Sequence, residues 1–256
     1  MANDHLPVAA PVTTDSAGTN AITAIAAVMK VVCPSTGSTG TGFLHQSGWI
    51  VTAEHVVRGS PPDKTVLVTS SGAQIAVTDI RMDRSFDLAI VKPKSPIQCM
   101  PLALCPATTY AVGSQVSTWG FPYGYTGLAP MLTIGYLSGV ENVNGIARWV
   151  INAAFNSGNS GGPVLRLEDG SVIGVVASKL APLPPHIESI LSALAQQQSG
   201  FLYTVTHPDG RQENFSEGKL VGTVLEFLRS QTQLVVGHAV LLANLRNFLT
   251  KEGLTP

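Results

Sequence analysis

Short apolar runs, rich in β-branched residues, alternate with turn residues along the chain from Val28 to Ala177. The pair Asp169-Gly170 stands between two such runs, which is a strong signal for a β-hairpin. Many short strands without helices between them predict an antiparallel barrel or sandwich. The predicted strands are Val28–Val32, Gly42–His45, Trp49–Thr52, Thr65–Thr69, Ile75–Ile80, Leu88–Lys92, Gln115–Trp119, Leu132–Leu137, Trp149–Ala153, Val164–Leu167 and Val172–Ala177.

The periodicity changes after Pro184-Pro185, where apolar positions recur with helical spacing. A helix is predicted from Ile187 to Leu194, and a second one follows Ser216. Between them, Phe201–Thr206 and the turn after it predict a hairpin. A terminal helix is predicted over about residues 240–252.

The N-terminal residues 1–20 are rich in Ala, Pro, Thr, Ser and Asp without periodicity, which predicts a flexible leader. Asp4 and His5 stand where a secretory signal would carry Lys or Arg. Two locations therefore stay open. The protein is cytoplasmic if the chain is complete, and periplasmic or secreted if a signal peptide was removed.

The amino-acid composition excludes several classes of protein. Of the 256 residues, 12% are charged and 45% are hydrophobic, whereas about 25% of an average soluble protein is charged. This balance excludes an intrinsically disordered chain, and a net charge of -1 provides no basic surface for nucleic acid. The longest uncharged stretch, Ser95 to Val140, contains too many prolines and glycines for a membrane span.

The chain has three cysteines, Cys33, Cys99 and Cys105, and no C-x-x-C pair. A disulfide framework is not expected from an odd number with this spacing. A single bridge between Cys99 and Cys105 stays open.

Three segments carry candidate chemistry. In Asn156-Ser157-Gly158-Asn159-Ser160-Gly161-Gly162-Pro163, glycines on both sides of a serine let successive N–H groups point at one spot, as an oxyanion requires. His55 ends an apolar strand, and Asp87 directly precedes another. A buried carboxylate needs a partner, and an imidazole is a suitable one. Each segment also has an ordinary interpretation: a flexible loop, a core histidine and a turn residue.

Together these segments resemble the trypsin/chymotrypsin-like serine peptidases, in which the triad follows the chain order His, Asp, Ser. The resemblance is closest to the HtrA (DegP-like) branch, without a segment similar to its PDZ module, and covers roughly residues 25–180. The motifs that carry it are Thr41-Gly-Phe-Leu, Thr52-Ala-Glu-His-Val-Val, Asp87-Leu-Ala-Ile-Val, Gly120-Phe-Pro-Tyr-Gly, Asn152-Ala-Ala-Phe-Asn-Ser-Gly-Asn-Ser-Gly-Gly-Pro and Val172-Ile-Gly-Val-Val.

The resemblance implies an all-β fold, the trypsin-like double six-stranded antiparallel β-barrel with a C-terminal helix. Residues 21–112 would form the N-terminal barrel, which holds His55 and Asp87. Residues 113–256 would form the C-terminal barrel, which holds Ser160. A partly helical insertion at about residues 181–234 would interrupt the second barrel.

The implied chemistry is peptide hydrolysis without a metal or organic cofactor. Ser160 would attack the peptide carbonyl, His55 would take and return the proton, and Asp87 would orient the imidazole. The oxyanion hole is assigned to Gly158, Asn159 and Ser160.

The implied specificity pocket carries Ala154 where trypsin-like enzymes place an aspartate, so small or aliphatic residues are expected before the cut. The residues assigned to substrate binding are Ala154, Phe155, Asn156, Ala177, Ser178, Lys179 and Gly237, of which Ala177, Ser178 and Lys179 form the strand that pairs with substrate.

Two departures from the family pattern stand out. Ala177 replaces a Ser or Thr that usually supports the triad aspartate, and Asn159 replaces the aspartate used in zymogen activation. Activation by N-terminal cleavage is therefore not expected.

The expected partners are a protein or peptide substrate and a regulatory partner at residues 181–234. The alternative for this insertion is surface decoration. A homo-oligomer stays open, because HtrA-like relatives are often trimers. The alternative function is a catalytically silent or partner-activated pseudoprotease-like binding module.

Overall fold

Two closed six-stranded antiparallel β-barrels account for most strands of this protein. The structure is a computed structural model that describes residues 19–143, 145–178, 185–196, 200–206, 210–231 and 236–256. The chain divides into two compact units, one of residues 1–178 with 235–256 and one of residues 179–234. Both barrels belong to the first unit.

The first barrel follows a short helix, and its strands pair in the order β1-β2-β3-β6-β5-β4, with β4 closing on β1. A short helix leaves β3 and carries His55. The elements are α1 Thr19–Ala27, β1 Val28–Cys33, β2 Ser38–Leu44, β3 Ile50–Thr52, α2 Glu54–Val57, a 3₁₀ turn Pro62–Lys64, β4 Val66–Val68, β5 Gln74–Asp83 and β6 Leu88–Pro93.

The core of the first barrel fixes β3, which precedes His55 in the chain, and β6, which follows Asp87. All of β3 is buried, and β6 begins with four buried residues from Leu88 to Val91. Phe43 of β2 and Leu67 of β4 are also fully buried in this barrel. Each Å² of apolar surface removed from water contributes about 25 cal/mol, so these apolar runs hold β3 and β6 firmly in place.

The second barrel has the strand order β10-β11-β14-β9-β8-β7, and β10 closes on β7. A C-terminal helix follows it and buries Leu242, Leu245, Phe248 and Leu249. The elements are β7 Gln115–Gly120, β8 Met131–Val143, β9 Ile146–Asn152, β10 Pro163–Arg166, β11 Val172–Ser178, β14 Gly237–Leu241 and α5 Leu242–Lys251.

The second compact unit lies in sequence between β11 and β14. It contains α3 Pro185–Gln196, the hairpin of β12 Leu202–Thr206 and β13 Gln212–Ser216, and α4 Glu217–Gln231. The two helices pack against each other. The ammonium of Lys219 binds Glu213 at 2.8 Å, which links α4 to the hairpin.

The all-β double barrel, the terminal helix and the partly helical insertion confirm the predicted fold. Two short helices were missed. The pattern gave no helix at α1, and His55, expected at a strand end, lies in α2. The predicted leader falls outside the described residues except for its last two positions, which begin α1.

All three cysteines are free, and the Cys99 thiol donates to the Ala26 carbonyl at 3.4 Å. No helix in the described part of the chain is long and apolar enough to cross a membrane.

Candidate active site

His55 and Asp87 form the best-defined pair of the site. The imidazole Nδ1 lies 3.0 Å from Oδ1 and 2.9 Å from Oδ2 of the carboxylate, and the backbone N–H of His55 donates to Oδ1 at 3.0 Å. Because Asp87 accepts at Nδ1, that nitrogen carries the proton and Nε2 is left as the base. The side chains of His55 and Asp87 are 39% and 21% exposed, so the pair is accessible to solvent.

The serine loop lies close to the helix that carries His55. A Cβ built on Gly40 would lie 2.5 Å from the Val56 side chain and 3.0 Å from the Ser160 carbonyl oxygen. Only a glycine therefore fits at position 40 of β2, which lies between Val56, the residue after His55, and Ser160. The tertiary structure thus brings the serine loop close to the helix that carries His55, and His55 binds Asp87.

The loop itself requires glycine at two positions. Gly158 and Gly161 have φ values of +94° and +84°, a region that side chains disfavour. A Cβ on Gly158 would overlap the Phe121 carbonyl, and one on Gly161 would overlap the Thr41 carbonyl. Any other residue at either position would both strain the backbone and displace a neighbouring segment.

Every carbonyl group from Ser157 to Ser160 accepts a hydrogen bond, so the peptide planes of the loop are fixed. The donors, in chain order, are the N–H of Tyr123 at 2.7 Å, the hydroxyl of Thr41 at 2.6 Å, the N–H of Gly162 at 2.9 Å and the N–H of Thr41 at 2.9 Å.

The N–H groups of this loop differ in what they bind. The N–H of Asn159, expected from the sequence to belong to the oxyanion hole, donates to the Asn156 carbonyl at 3.0 Å and is not free for an oxyanion. The N–H groups of Gly158 and Ser160 donate to no atom among the residues that the structure describes. Two unused donors in a fixed backbone are what a developing oxyanion needs.

Thr41 has a role that sequence reasoning missed. Its buried hydroxyl accepts the Phe121 N–H at 3.1 Å and donates to the Gly158 carbonyl at 2.6 Å. The first barrel therefore holds the serine loop of the second. The signal was present as a hydroxyl residue between Gly40 and Gly42, but nothing local to the sequence shows what that hydroxyl contacts.

The Ser160 hydroxyl donates to the Ala177 carbonyl at 3.4 Å, and within the described residues it makes no hydrogen bond to His55. For His55 to accept the proton of Ser160, the hydroxyl would have to turn from the Ala177 carbonyl to Nε2. Catalytic hydrogen bonds are often long or misaligned without substrate and tighten in the complex.

The predicted pocket residues are partly brought together. Phe155 is buried against Gly237, and a Cβ at position 237 would overlap the Phe155 ring. Ala154 and Asn156 are half-buried, and Ala177 is buried. Ser178 ends β11, but its side chain and all of Lys179 lie outside the described residues.

A buried carboxylate next to His55 was also missed. Glu54 is fully buried and binds Arg58 at 2.5 Å and Arg84 at 3.3 Å. Its hydrogen bond and charge raise the pKa of the Arg58 guanidinium. The two arginines compensate the buried charge, so Glu54 anchors α2. In the described residues, no group of three or more His, Cys, Asp or Glu side chains is placed to hold a metal ion.

The fold and the site define a double-barrel protein with the geometry of a serine peptidase. A family model described as a trypsin-like peptidase domain matches residues 40–175, more than half of the chain. The chain therefore belongs to the trypsin-like peptidase family.

Relatives confirm the similarity to the HtrA branch. The chain is 30% identical over 231 residues to "Serine protease HTRA2, mitochondrial" of Drosophila grimshawi, which aligns 82% of this chain with 52% of that protein. It is 38% identical over 143 residues to "Probable periplasmic serine endoprotease DegP-like" of Chlamydia pneumoniae, with 53% of this chain and 28% of that protein aligned. The chain spans about half the length, or less, of these relatives.

Among solved structures, the active form of the Rv3671c protease from M. tuberculosis superposes with a TM-score of 0.61. The sequence identity is 19%, and the alignment covers 98% of this chain and 91% of that one. At this identity the likeness shows a shared fold alone.

Proposed function

We propose that this chain is a serine endopeptidase that hydrolyses peptide bonds through an acyl-enzyme intermediate. The observation that carries the proposal is the pair of unused N–H groups at Gly158 and Ser160, in a loop whose carbonyls are all anchored. The His55–Asp87 hydrogen bond adds a base in the required tautomer. Membership of the trypsin-like peptidase family supports the same chemistry.

The reaction follows from these positions. The Ser160 oxygen forms a bond to the substrate carbonyl carbon while His55 Nε2 accepts the hydroxyl proton. The N–H groups of Gly158 and Ser160 bind the resulting oxyanion. When the C–N bond breaks, His55 returns the proton to the leaving amine, and water then hydrolyses the ester by the reverse sequence. Asp87 keeps its charge throughout and stabilises the imidazolium.

We propose that the residue before the cut is small or aliphatic. Ala154 provides no carboxylate for an arginine or lysine, and burying such a charge unpaired is unfavourable. Phe155, the next residue in the chain, is buried against Gly237. Peptides with Ala or Val before the cut are expected to react faster than matched peptides with Arg or Lys.

A fluorophosphonate probe tests the central proposal, because it labels only a serine with a working base and oxyanion hole. The wild-type chain is expected to be labelled at neutral pH, and Ser160→Ala is expected to abolish labelling. Ser157→Ala is the matched control, since it removes another hydroxyl of the same loop. Absence of wild-type labelling, with or without peptide ligands, would contradict the proposal and favour a binding module.

A further inference from the structure

The carboxylate of Asp87 is supported by few groups. Among the described residues only His55 donates to it, through its backbone N–H and through Nδ1. No hydroxyl group in this part of the chain binds either oxygen, and the buried Ala177 offers only a methyl group. The direction of this carboxylate therefore depends on how the Asp87 backbone is held.

That backbone is in an unusual conformation. Asp87 has a φ of +59° and is the only non-glycine residue of the described chain in the left-handed region. Aspartate tolerates this region better than most residues, but the conformation still costs about 1 kcal/mol or more. Neighbouring contacts must hold the Phe86–Asp87 peptide in place.

Arg148 makes this contact from the second barrel. Its Nη1 donates to the Phe86 carbonyl at 2.9 Å, from β9 to the residue before Asp87. The φ angle of Asp87 is the rotation about its N–Cα bond. This rotation sets the orientation of the Phe86–Asp87 peptide plane relative to the Asp87 side chain. The hydrogen bond from Arg148 to the Phe86 carbonyl fixes the peptide plane on one side of this bond. The hydrogen bond from the His55 N–H fixes the carboxylate on the other side.

The charge of Arg148 is available to Asp87. The guanidinium is half-buried, and burial lowers its pKa while the charge of Asp87 opposes that effect. The described residues include no ion pair of Arg148. Glu141, its cross-strand neighbour on β8, binds Nε2 of His238 at 2.9 Å instead. The charge of Arg148 interacts with Asp87, as does the charge of Arg58.

We propose that Arg148 is a positioning residue for the triad, which holds the Phe86–Asp87 peptide of the first barrel from the second barrel. This role of Arg148 rests on the proposed peptidase function. Arg148 does not touch substrate and acts only through Asp87 and His55.

The kinetic test compares Arg148→Met, which removes charge and donors, with Arg148→Lys, which keeps the charge and one donor. Arg148→Met is expected to lower kcat about tenfold with KM changed by less than about twofold, because it misaligns the base and not the substrate. Arg148→Lys is expected to recover most of kcat. An unchanged kcat in Arg148→Met, or an equal loss in both variants, would overturn the inference.

Arg246→Met is the matched control, because Arg246 also donates to a backbone carbonyl, that of Cys105, but among the described residues forms no hydrogen bond with the site. It is expected to lower the thermal midpoint without changing kcat. If Arg148 had only a structural role, Arg148→Met would likewise lower the thermal midpoint and leave kcat unchanged.

A readout without substrate separates this inference from the proposed function. The low-field ¹H NMR signal of the His55 Nδ1 proton reports the His55–Asp87 hydrogen bond directly. It is expected in wild type and in Arg148→Lys, and shifted or broadened in Arg148→Met. An unchanged signal in Arg148→Met rejects the role of Arg148, even if the wild type is not labelled by the fluorophosphonate probe and the peptidase proposal has failed.

Discussion

At the scale of single residues, the hydroxyl of Thr41 connects the two barrels at the serine loop. It satisfies a buried N–H of Phe121 and fixes the Gly158 carbonyl. Because that carbonyl belongs to the peptide that follows Gly158, its orientation limits how the whole loop from Gly158 to Ser160 can rotate. The geometry of the two unused N–H groups therefore depends on a side chain of the other barrel.

Thr41→Val keeps the shape of the side chain and removes the hydroxyl, so two buried polar groups lose their partner. Loss of one oxyanion donor typically lowers the rate about 10²–10³-fold, and a loosened loop should lower kcat about tenfold or more. Thr41→Ser is expected to retain near wild-type kcat in steady-state assays.

The control for this prediction is Thr65→Val, which removes another buried hydroxyl of the first barrel, one that donates to the Pro61 carbonyl. It is expected to lower stability without affecting kcat. A wild-type kcat for Thr41→Val would show that the loop is held adequately by its backbone hydrogen bonds.

At the scale of elements, strands were easier to predict than short helices. A strand carries its own signal, since apolar residues at alternate or consecutive positions mark its buried face. The helix α2 has four residues and α1 has nine. Segments this short contain too few apolar positions to show a helical period in the sequence. Contacts with the barrel decide these helices, and so His55 was predicted in the wrong type of element.

The insertion is an element whose removal is well defined. Ser178 and His238 are register partners of β11 and β14, so the two ends of the inserted segment meet in the sheet. Replacing residues 181–234 with a short Gly-Ser linker keeps Lys179 of the predicted substrate-pairing strand and should leave both barrels folded. We expect this deletion to change the rate or selectivity of peptide cleavage, because the segment follows directly on the predicted substrate-pairing strand.

The readout is a cleavage profile on a folded and an unfolded protein substrate, with circular dichroism as the check on folding. A matched variant with Gly-Ser in place of residues 207–211, which connect β12 and β13 in sequence, controls for the change of sequence alone. Unchanged cleavage of both substrates by the folded deletion variant would show that the insertion is surface decoration.

At the scale of the whole molecule, one buried histidine contributes to the pH dependence of the free energy of unfolding. His45 is 1% exposed, its Nδ1 contacts the Ser47 hydroxyl at 2.9 Å, and its Nε2 has no partner among the described residues. Burial lowers its pKa below the ordinary value of 6.5. The unfolded chain therefore binds this proton more readily than the folded one.

This difference in proton binding sets the direction in which the free energy of unfolding changes with pH. The contribution of His45 is fully present above about pH 6.5 and is lost as the pH falls below that value toward the lowered pKa of the folded state. Chemical unfolding at pH 7.5 and pH 5.0 should show a smaller loss of stability in His45→Leu than in wild type.

His186→Leu, at an exposed position, is expected to lose as much stability as wild type over the same pH range. An identical loss in His45→Leu and wild type would assign the acid sensitivity to other groups.

The sequence alone determined the strand pattern, the insertion and the three residues of the expected triad. These have local causes: apolar periodicity marks strands, and glycines beside a serine mark a tight loop at positions such as Gly158 and Gly161. The resemblance to serine peptidases then linked the segments, and the family comparison and fold agree with it.

Only the tertiary structure decided which groups hold the site in place. Thr41 and Gly158 are 117 residues apart in sequence, and Arg148 and Phe86 are 62 apart. Each link is a single hydrogen bond between a side chain and a backbone carbonyl of the other barrel, which leaves no periodic trace in the sequence. The hydrogen bond from the Asn159 N–H to the Asn156 carbonyl lies within one loop, but it too depends on how that loop folds. Closure of two barrels against each other creates these contacts, and so it completes the site that the sequence only outlines.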